Sequence, residues 1–253
     1  MPSVKHTCSH YIIDYASNRR ESPGKKRLAP ELPVRGATQH NSLQRGADRM
    51  KFYMAPGSCS TGIHILLEEI GLIFEAYIVN LPMGDHLKPE YLALNPNGTI
   101  PTLVRDDGVV LTDFVSIATW LAAAYPRRRL LPQDSTTAEE ALGTLNFCTQ
   151  HVHGDGFRRV FTPERYAAKP DALEAVKAQG REIVANAFVV LDLQLAGKDY
   201  VADSFSIADA ALFYVEFWAD KIGIELPPNC RAHYQLMRTR PAVRQVLAEE
   251  GYR

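Results

Sequence analysis

From Met50 onward the spacing of apolar positions changes period several times, and each change marks an element. "KFYM" (51–54) is a short β-prone run, ended by Pro56-Gly57. Ile63, Leu66, Leu67 and Ile70 then fall on one helical stripe, with Gly71 as the stop. "FEAYIV" (74–79) alternates as a strand does, and a polar connection with Pro82, Gly84 and Pro89 follows, holding one helical turn at 89–94. "NPNG" (95–98) is a turn signal. "IPTLVR" and "GVVL" read as two strands joined by Asp106-Asp107-Gly108, since Asp-Gly tolerates the positive φ of a tight hairpin. Thr112 or Asp113 can cap a helix in which Phe114, Ile117, Leu121 and Ala124 recur at spacings of three and four. The predicted order is β-α-β-α-β-β-α, a small α/β sandwich over residues 50–125.

Strand signals stop after "YPRRRLLPQDS". Pro126 and Pro132 bracket a basic, turn-rich stretch that reads as a linker, 126–135. Residues 136–253 are helical in period, predicting an all-α second domain. In 172–196, Val176, Gly180, Ile183, Ala187, Val190 and Leu191 are expected to line one face. "SFSIAD" places Asp209 three residues after Ser206, the spacing of a reciprocal helix cap, and Ile207, Ala211, Tyr214 and Trp218 form a stripe behind it. Pro241 and Gly251 suit the first turn and the end of a closing helix.

Residues 1–49 break the pattern. They hold nine Lys/Arg against four Asp/Glu, with little apolar periodicity, which predicts a disordered basic extension. They lack the apolar block of a secretory signal, and a start codon set too far upstream, before Met50, is the plainest reading of them. The whole 253-residue chain has a net charge of −1 and is 46% hydrophobic, so nothing global indicates nucleic acid or a membrane surface. No apolar run is long enough to suggest a membrane span. Cys8, Cys59, Cys148 and Cys230 are scattered, without a C-x-x-C pair or histidines at zinc spacing, which favours a reducing, cytoplasmic setting and no metal.

The candidate chemistry begins at "PGSCS". Cys59, flanked by Ser58 and Ser60, follows a strand and a tight turn and directly precedes a helix. It is either a small buried residue or a thiol at a helix start, where free N–H groups stabilise a thiolate, the protein's own or a ligand's. Pro101 is either an ordinary trans proline opening a strand or a cis peptide with Ile100, leaving backbone groups free to pair with a peptide ligand. Asp113 is a helix cap, or a carboxylate facing a cationic ligand group at the same end of the sheet as Cys59. Asn146 and His153 share a face if their helix is continuous. His151 and His153 are two apart, which makes no helical chelate, and Cys148 and Cys230 read as packing residues.

Together, "PGSCS", "NPNGTIPTL", "LTDFVSIATWLA" and the later "SIAD" resemble a cytosolic glutathione transferase, most similar to the bacterial beta class, over residues 50–253. The resemblance implies a thioredoxin-like domain binding glutathione as co-substrate, a helical domain holding a small electrophilic or disulfide substrate, and a homodimer. It implies that Cys59 lies by the glutathione sulfur with His153 and Asn146 nearby. Ile100 and Pro101 would grip the cysteinyl part of the tripeptide, Asp113 and the Phe114 N–H would meet its γ-glutamyl end, and Ser58 and Ser60 would flank the thiol. The implied activity is conjugation in detoxification, or redox thiol–disulfide exchange through Cys59. The alternatives are a weakly catalytic binding protein of the same fold, or a glutathione-dependent lyase, dehalogenase or isomerase. Three positions depart from the family pattern: Asp113-Phe114, Leu87 where a lysine is usual, and "HGDGF", one residue longer than the beta-class "HKGF" and without its lysine.

Overall fold

A computed structural model describes residues 50–167 and 169–252. The expectation for residues 1–49 lies outside them.

Strands β1 (Met50–Met54), β2 (Phe74–Ile78), β3 (Thr102–Val104) and β4 (Val110–Thr112) form one sheet in the order β2-β1-β3-β4. β1 and β2 are parallel, with Phe52 opposite Ala76; β3 runs antiparallel to both its neighbours, with Leu103 opposite Phe52 and Leu111. The parallel pair needs a crossover, which α1 (Ser60–Ile70) supplies. Ile63, Leu66 and Leu67 are fully buried, and Gly71 ends the helix at φ 77°, as the sequence predicts. A short α2 (Pro89–Leu92) precedes β3, and α3 (Phe114–Ala124) follows β4. β3 begins two residues later than the apolar pattern suggests, because Ile100-Pro101 turns the chain into the sheet.

The second half is helical throughout: α4 (Ser135–Asn146), α5 (Arg158–Phe161), α6 (Leu173–Gln194), α7 (Ile207–Ile222), α8 (Pro228–Thr239) and α9 (Pro241–Glu249). α7 is its axis, buried at every position from Ile207 to Ala219, the mark of a helix surrounded by others. It meets the sheet domain through α1, where Gly62 lets the backbones touch: a Cβ there would lie 2.6 Å from the Ala210 carbonyl oxygen. The Ser206–Asp209 cap forms as predicted. Asp209 also accepts from the Val201 N–H at 2.8 Å and contacts His233 Nε2 at 3.1 Å, while His233 Nδ1 meets Glu216 at 2.9 Å. These three groups are wholly buried, so each charge depends on the others.

Two details correct the sequence reading. The buried face of α6 is Gly180, Val184, Ala187, Phe188 and Leu191, and Val190 points to solvent. More consequentially, Phe147–Phe157 winds as a π-helix between α4 and α5. Its wider turn breaks the two-turn phase that would have set Asn146 and His153 on one face.

Candidate functional site

A cavity of about 550 Å³ opens where the sheet ends meet the helical half. Its sheet-side wall is the 55–59 turn, residues 98–101 and Asp113–Val115; its helical wall comes from the π-helix, α5 and the chain after it, and α7.

Cys59 occupies the N-cap position of α1, 8% exposed, with its Sγ 3.6 Å from the Ile100 carbonyl oxygen. Two residues singled out separately in the sequence thus touch. The Ile100–Pro101 peptide is cis. Burial pushes the Cys59 thiol up to about 12, against the pull of the Cys59 and Ser60 backbone N–H groups and of the Arg158 guanidinium. The helix start acts in the expected direction, but burial outweighs it, and at neutral pH Cys59 is a thiol in the free protein.

The turn carrying Cys59 is held from far away in sequence. The Gly57 N–H donates to Glu250 Oε2 at 2.7 Å, and the Gly57 carbonyl accepts from the Trp218 indole N–H at 2.7 Å. Glu250, 1% exposed, also accepts from Thr61 Oγ1 at 2.6 Å and contacts His64 Nδ1 at 2.9 Å. Ser58 lines the cavity; Ser60 faces inward, its hydroxyl engaged with Ala55 and with Ser58 at 2.6 Å.

Asp113 caps α3 through a 2.7 Å bond from the Ser116 N–H to Oδ1, and it does so at φ 79°. Such a conformation is unfavourable for a residue with a Cβ and concentrates at ligand sites. The carboxylate is exposed on the cavity wall, and the buried Phe114 beside it stacks obliquely on Tyr214, ring centres 5.2 Å apart.

His153 also lines the cavity, set between Tyr214 (Nδ1 to Oη, 3.3 Å) and Trp218 (ring centres 4.9 Å). Burial, reinforced by Arg158, lowers its pKa to about 4, so the ring is neutral at neutral pH. Asn146 is exposed and does not line the cavity.

The sequence reading missed Tyr214 and Trp218 as site residues, having placed them on a core stripe. It also missed Arg158, Arg165 and His86. Lys88, next to the position of the expected lysine, is paired with Asp85 at 2.6 Å. The arginines on the cavity wall belong to the helical half and have no ion-pair partner among the described residues. Of the helical wall the sequence reading named His153; the other signal available was the extra residue in "HGDGF", which lies in the π-helix.

A parallel-then-antiparallel four-stranded sheet, a cysteine at the first helix start, and a helical half closing over both define a two-domain protein of thioredoxin-like design. The comparisons with known proteins agree. The model of the glutathione S-transferase N-terminal domain matches residues 57–124, and that of the C-terminal domain matches residues 174–236. The glutathione S-transferase GstA of Escherichia coli O157:H7 is 34% identical over 219 residues, which is 80% of this chain and 99% of the relative. Among solved structures, a sphingomonad glutathione S-transferase complexed with glutathione superposes with a TM-score of 0.69 at 33% identity, covering 79% of this chain and 98% of that one. A bacterial beta-class glutathione S-transferase of Sphingomonas chungbukensis does so with a TM-score of 0.69 at 31% identity, over 79% and 98%. The chain belongs to the glutathione S-transferase family.

Proposed function

We propose that this protein is a glutathione-dependent transferase that binds the tripeptide along the sheet ends and joins its sulfur to a small electrophile held by the helical wall. The 3.6 Å contact between Cys59 Sγ and the Ile100 carbonyl carries this reading. It sets the thiol beside the backbone that would pair with the cysteinyl unit, and the Asp113 carboxylate lies on the same wall to meet the γ-glutamyl amine. Phe114 N–H and Ser58 complete that half. His153, neutral and on the helical wall of the same cavity, would border the sulfur.

In the conjugation step the glutathione thiolate attacks an electrophilic carbon, a C–S bond forms, and the leaving group departs with its electron pair. Arg158 and the N–H groups at the start of α1, which favour the charged form of Cys59, would favour negative charge on a glutathione sulfur held beside it. Cys59 serves as a neighbouring S–H.

A second activity is supported by the presence of Cys59 itself on the cavity wall. Its thiolate would attack a glutathione mixed disulfide, releasing the partner thiol and leaving a Cys59–glutathione disulfide. A second glutathione thiolate would then release glutathione disulfide and restore Cys59. The raised pKa makes this the slower route. A cytoplasmic homodimer working in detoxification completes the proposal.

The test is calorimetric titration with glutathione, together with conjugation of an activated aryl halide by wild type and Cys59→Ala. The proposal expects conjugation largely retained and disulfide exchange lost in Cys59→Ala. Failure to bind glutathione would refute it, and equal loss of both activities in a folded variant would refute the division of labour.

A further inference from the structure

Next to the Cys59 turn, α9 brings Glu249 against His64 and Glu68 of α1, and none of the three lines the catalytic cavity. One ligand-capable atom from each lies within 4.8 Å of the other two. His64 and Glu68 are four residues apart on α1, so they share a helix face, and Glu249 arrives from a separate element. We infer that His64, Glu68 and Glu249 form a three-ligand site for a divalent cation of the zinc class, distinct from the catalytic cavity.

Four observations support it. First, the imidazole is already oriented as a ligand: Nδ1 meets the buried Glu250 carboxylate at 2.9 Å, which leaves Nε2 to face Glu249. A carboxylate on the far ring nitrogen is the arrangement that fixes the tautomer of metal-binding histidines. Second, the separation between His64 Nε2 and Glu249 Oε2 is 3.3 Å. Two ligands on a tetrahedral zinc, with bonds of about 2.0–2.1 Å, stand about 3.3 Å apart. Third, the ring is held in place by the edges of Phe52 and Phe74, 6.1 and 5.6 Å away, and is 4% exposed. Fourth, three carboxylates (Glu68, Glu249 and Glu250) surround this one imidazole, and no lysine or arginine among the described residues is ion-paired with any of them.

One nitrogen and two carboxylate oxygens suit zinc or a neighbouring first-row cation better than calcium, which takes six to eight oxygens. A cavity of about 450 Å³ bordered by His64, Glu68 and Glu249 gives room for solvent to complete the coordination. Since Glu250 also holds the Gly57 N–H and Thr61, the cation would brace the turn that carries Cys59.

The test is titration of the full chain, stripped with chelator, with Zn²⁺ by calorimetry, and with Co²⁺ by visible absorption, for wild type, Glu249→Gln, Glu68→Gln and the double variant. Glu249 is half exposed, so its replacement should leave the fold intact, which circular dichroism and the metal-free Tm verify. The proposal expects one Zn²⁺ per chain, a cobalt spectrum without a thiolate charge-transfer band, and a Tm that rises with Zn²⁺ in wild type. Each single variant should weaken binding by at least the about 10–100-fold typical of losing even an outer partner, and the double variant should lose the Tm rise. In metal-free buffer the variants should be as stable as wild type or more so, because a carboxylate–carboxylate repulsion has gone. Undiminished Zn²⁺ affinity in the double variant, a thiolate band on cobalt, or no binding by wild type at tens of micromolar would overturn it.

Discussion

Glu250→Ala is the substitution from which the architecture predicts most. The side chain is 1% exposed and its carboxylate serves three donors: the Gly57 N–H, the Thr61 hydroxyl and the His64 ring, at 2.7, 2.6 and 2.9 Å. Alanine leaves all three without an acceptor in a buried setting. At about 1–3 kcal/mol for each stranded group, the sum spans roughly 3–9 kcal/mol. Relaxation and water entering from the neighbouring cavity reduce it, and about 4 kcal/mol is expected, within the range for breaking a buried charged contact. Glu250→Gln keeps one carbonyl oxygen but turns an NH₂ toward donors, so it should cost about 2 kcal/mol. Urea unfolding with a common m-value measures both. A local readout separates the turn from the rest: freed from Glu250, Gly57–Cys59 opens, and iodoacetamide should modify Cys59 faster, while the fully buried Cys148 and Cys230 stay protected, as peptide mass spectrometry can show. A cost below about 1 kcal/mol for alanine, or glutamine more damaging than alanine, would refute the reasoning.

Other predictions follow from the same geometry. With its pKa raised to about 12, Cys59 of the ligand-free protein should show alkylation rates that keep climbing above pH 9; a plateau below pH 8 would contradict the burial argument. His153 is lowered to about 4 from an unfolded value near 6.5, so the unfolded chain takes up its proton first. The stability this contributes is present above about pH 6.5 and lost as pH falls toward 4. It amounts to about 2–3 kcal/mol once solvent at the cavity edge is allowed for, and the slope of stability between pH 4 and 6.5 should flatten in His153→Phe. Trp218→Phe removes the indole donor from the Gly57 carbonyl and should cost about 1–2 kcal/mol in urea unfolding, raising the Cys59 alkylation rate as Glu250→Ala does, though less. His233→Ala leaves Asp209 and Glu216 buried without their shared partner and should cost about 3–5 kcal/mol, measurable by the same unfolding titration.

Much of the fold was readable because its signals are local. Strand alternation at 74–79, the apolar stripe of α1, the positive-φ glycines at 71 and 108 and the Ser206–Asp209 cap each depend on residues a few positions apart. Cys59, Ile100, Pro101 and Asp113 were likewise visible, since a turn, a strand start and a helix start announce themselves by residue type. Of the helical wall only His153 was, through the family resemblance. A stripe such as Ile207, Ala211, Tyr214, Trp218 looks the same whether it packs on other helices or lines a cavity. Asn146 was placed beside His153 on the assumption of 3.6 residues per turn, and the π-helix at 147–157 removes that phase.

"PGSCS" shows most clearly what each level decides. The sequence alone put a cysteine at the start of a helix after a tight turn, because Pro-Gly ends the strand and the apolar period resumes at Ile63. Whether that cysteine is an ionised nucleophile depends on what surrounds it. Only the tertiary structure brings the Ile100 carbonyl to 3.6 Å, clamps Gly57 between Trp218 and Glu250, and buries the sulfur so deeply that the helix start cannot hold it as a thiolate. Residue type and spacing set which groups can act; desolvation, a property of everything packed around them, sets the charge each one carries.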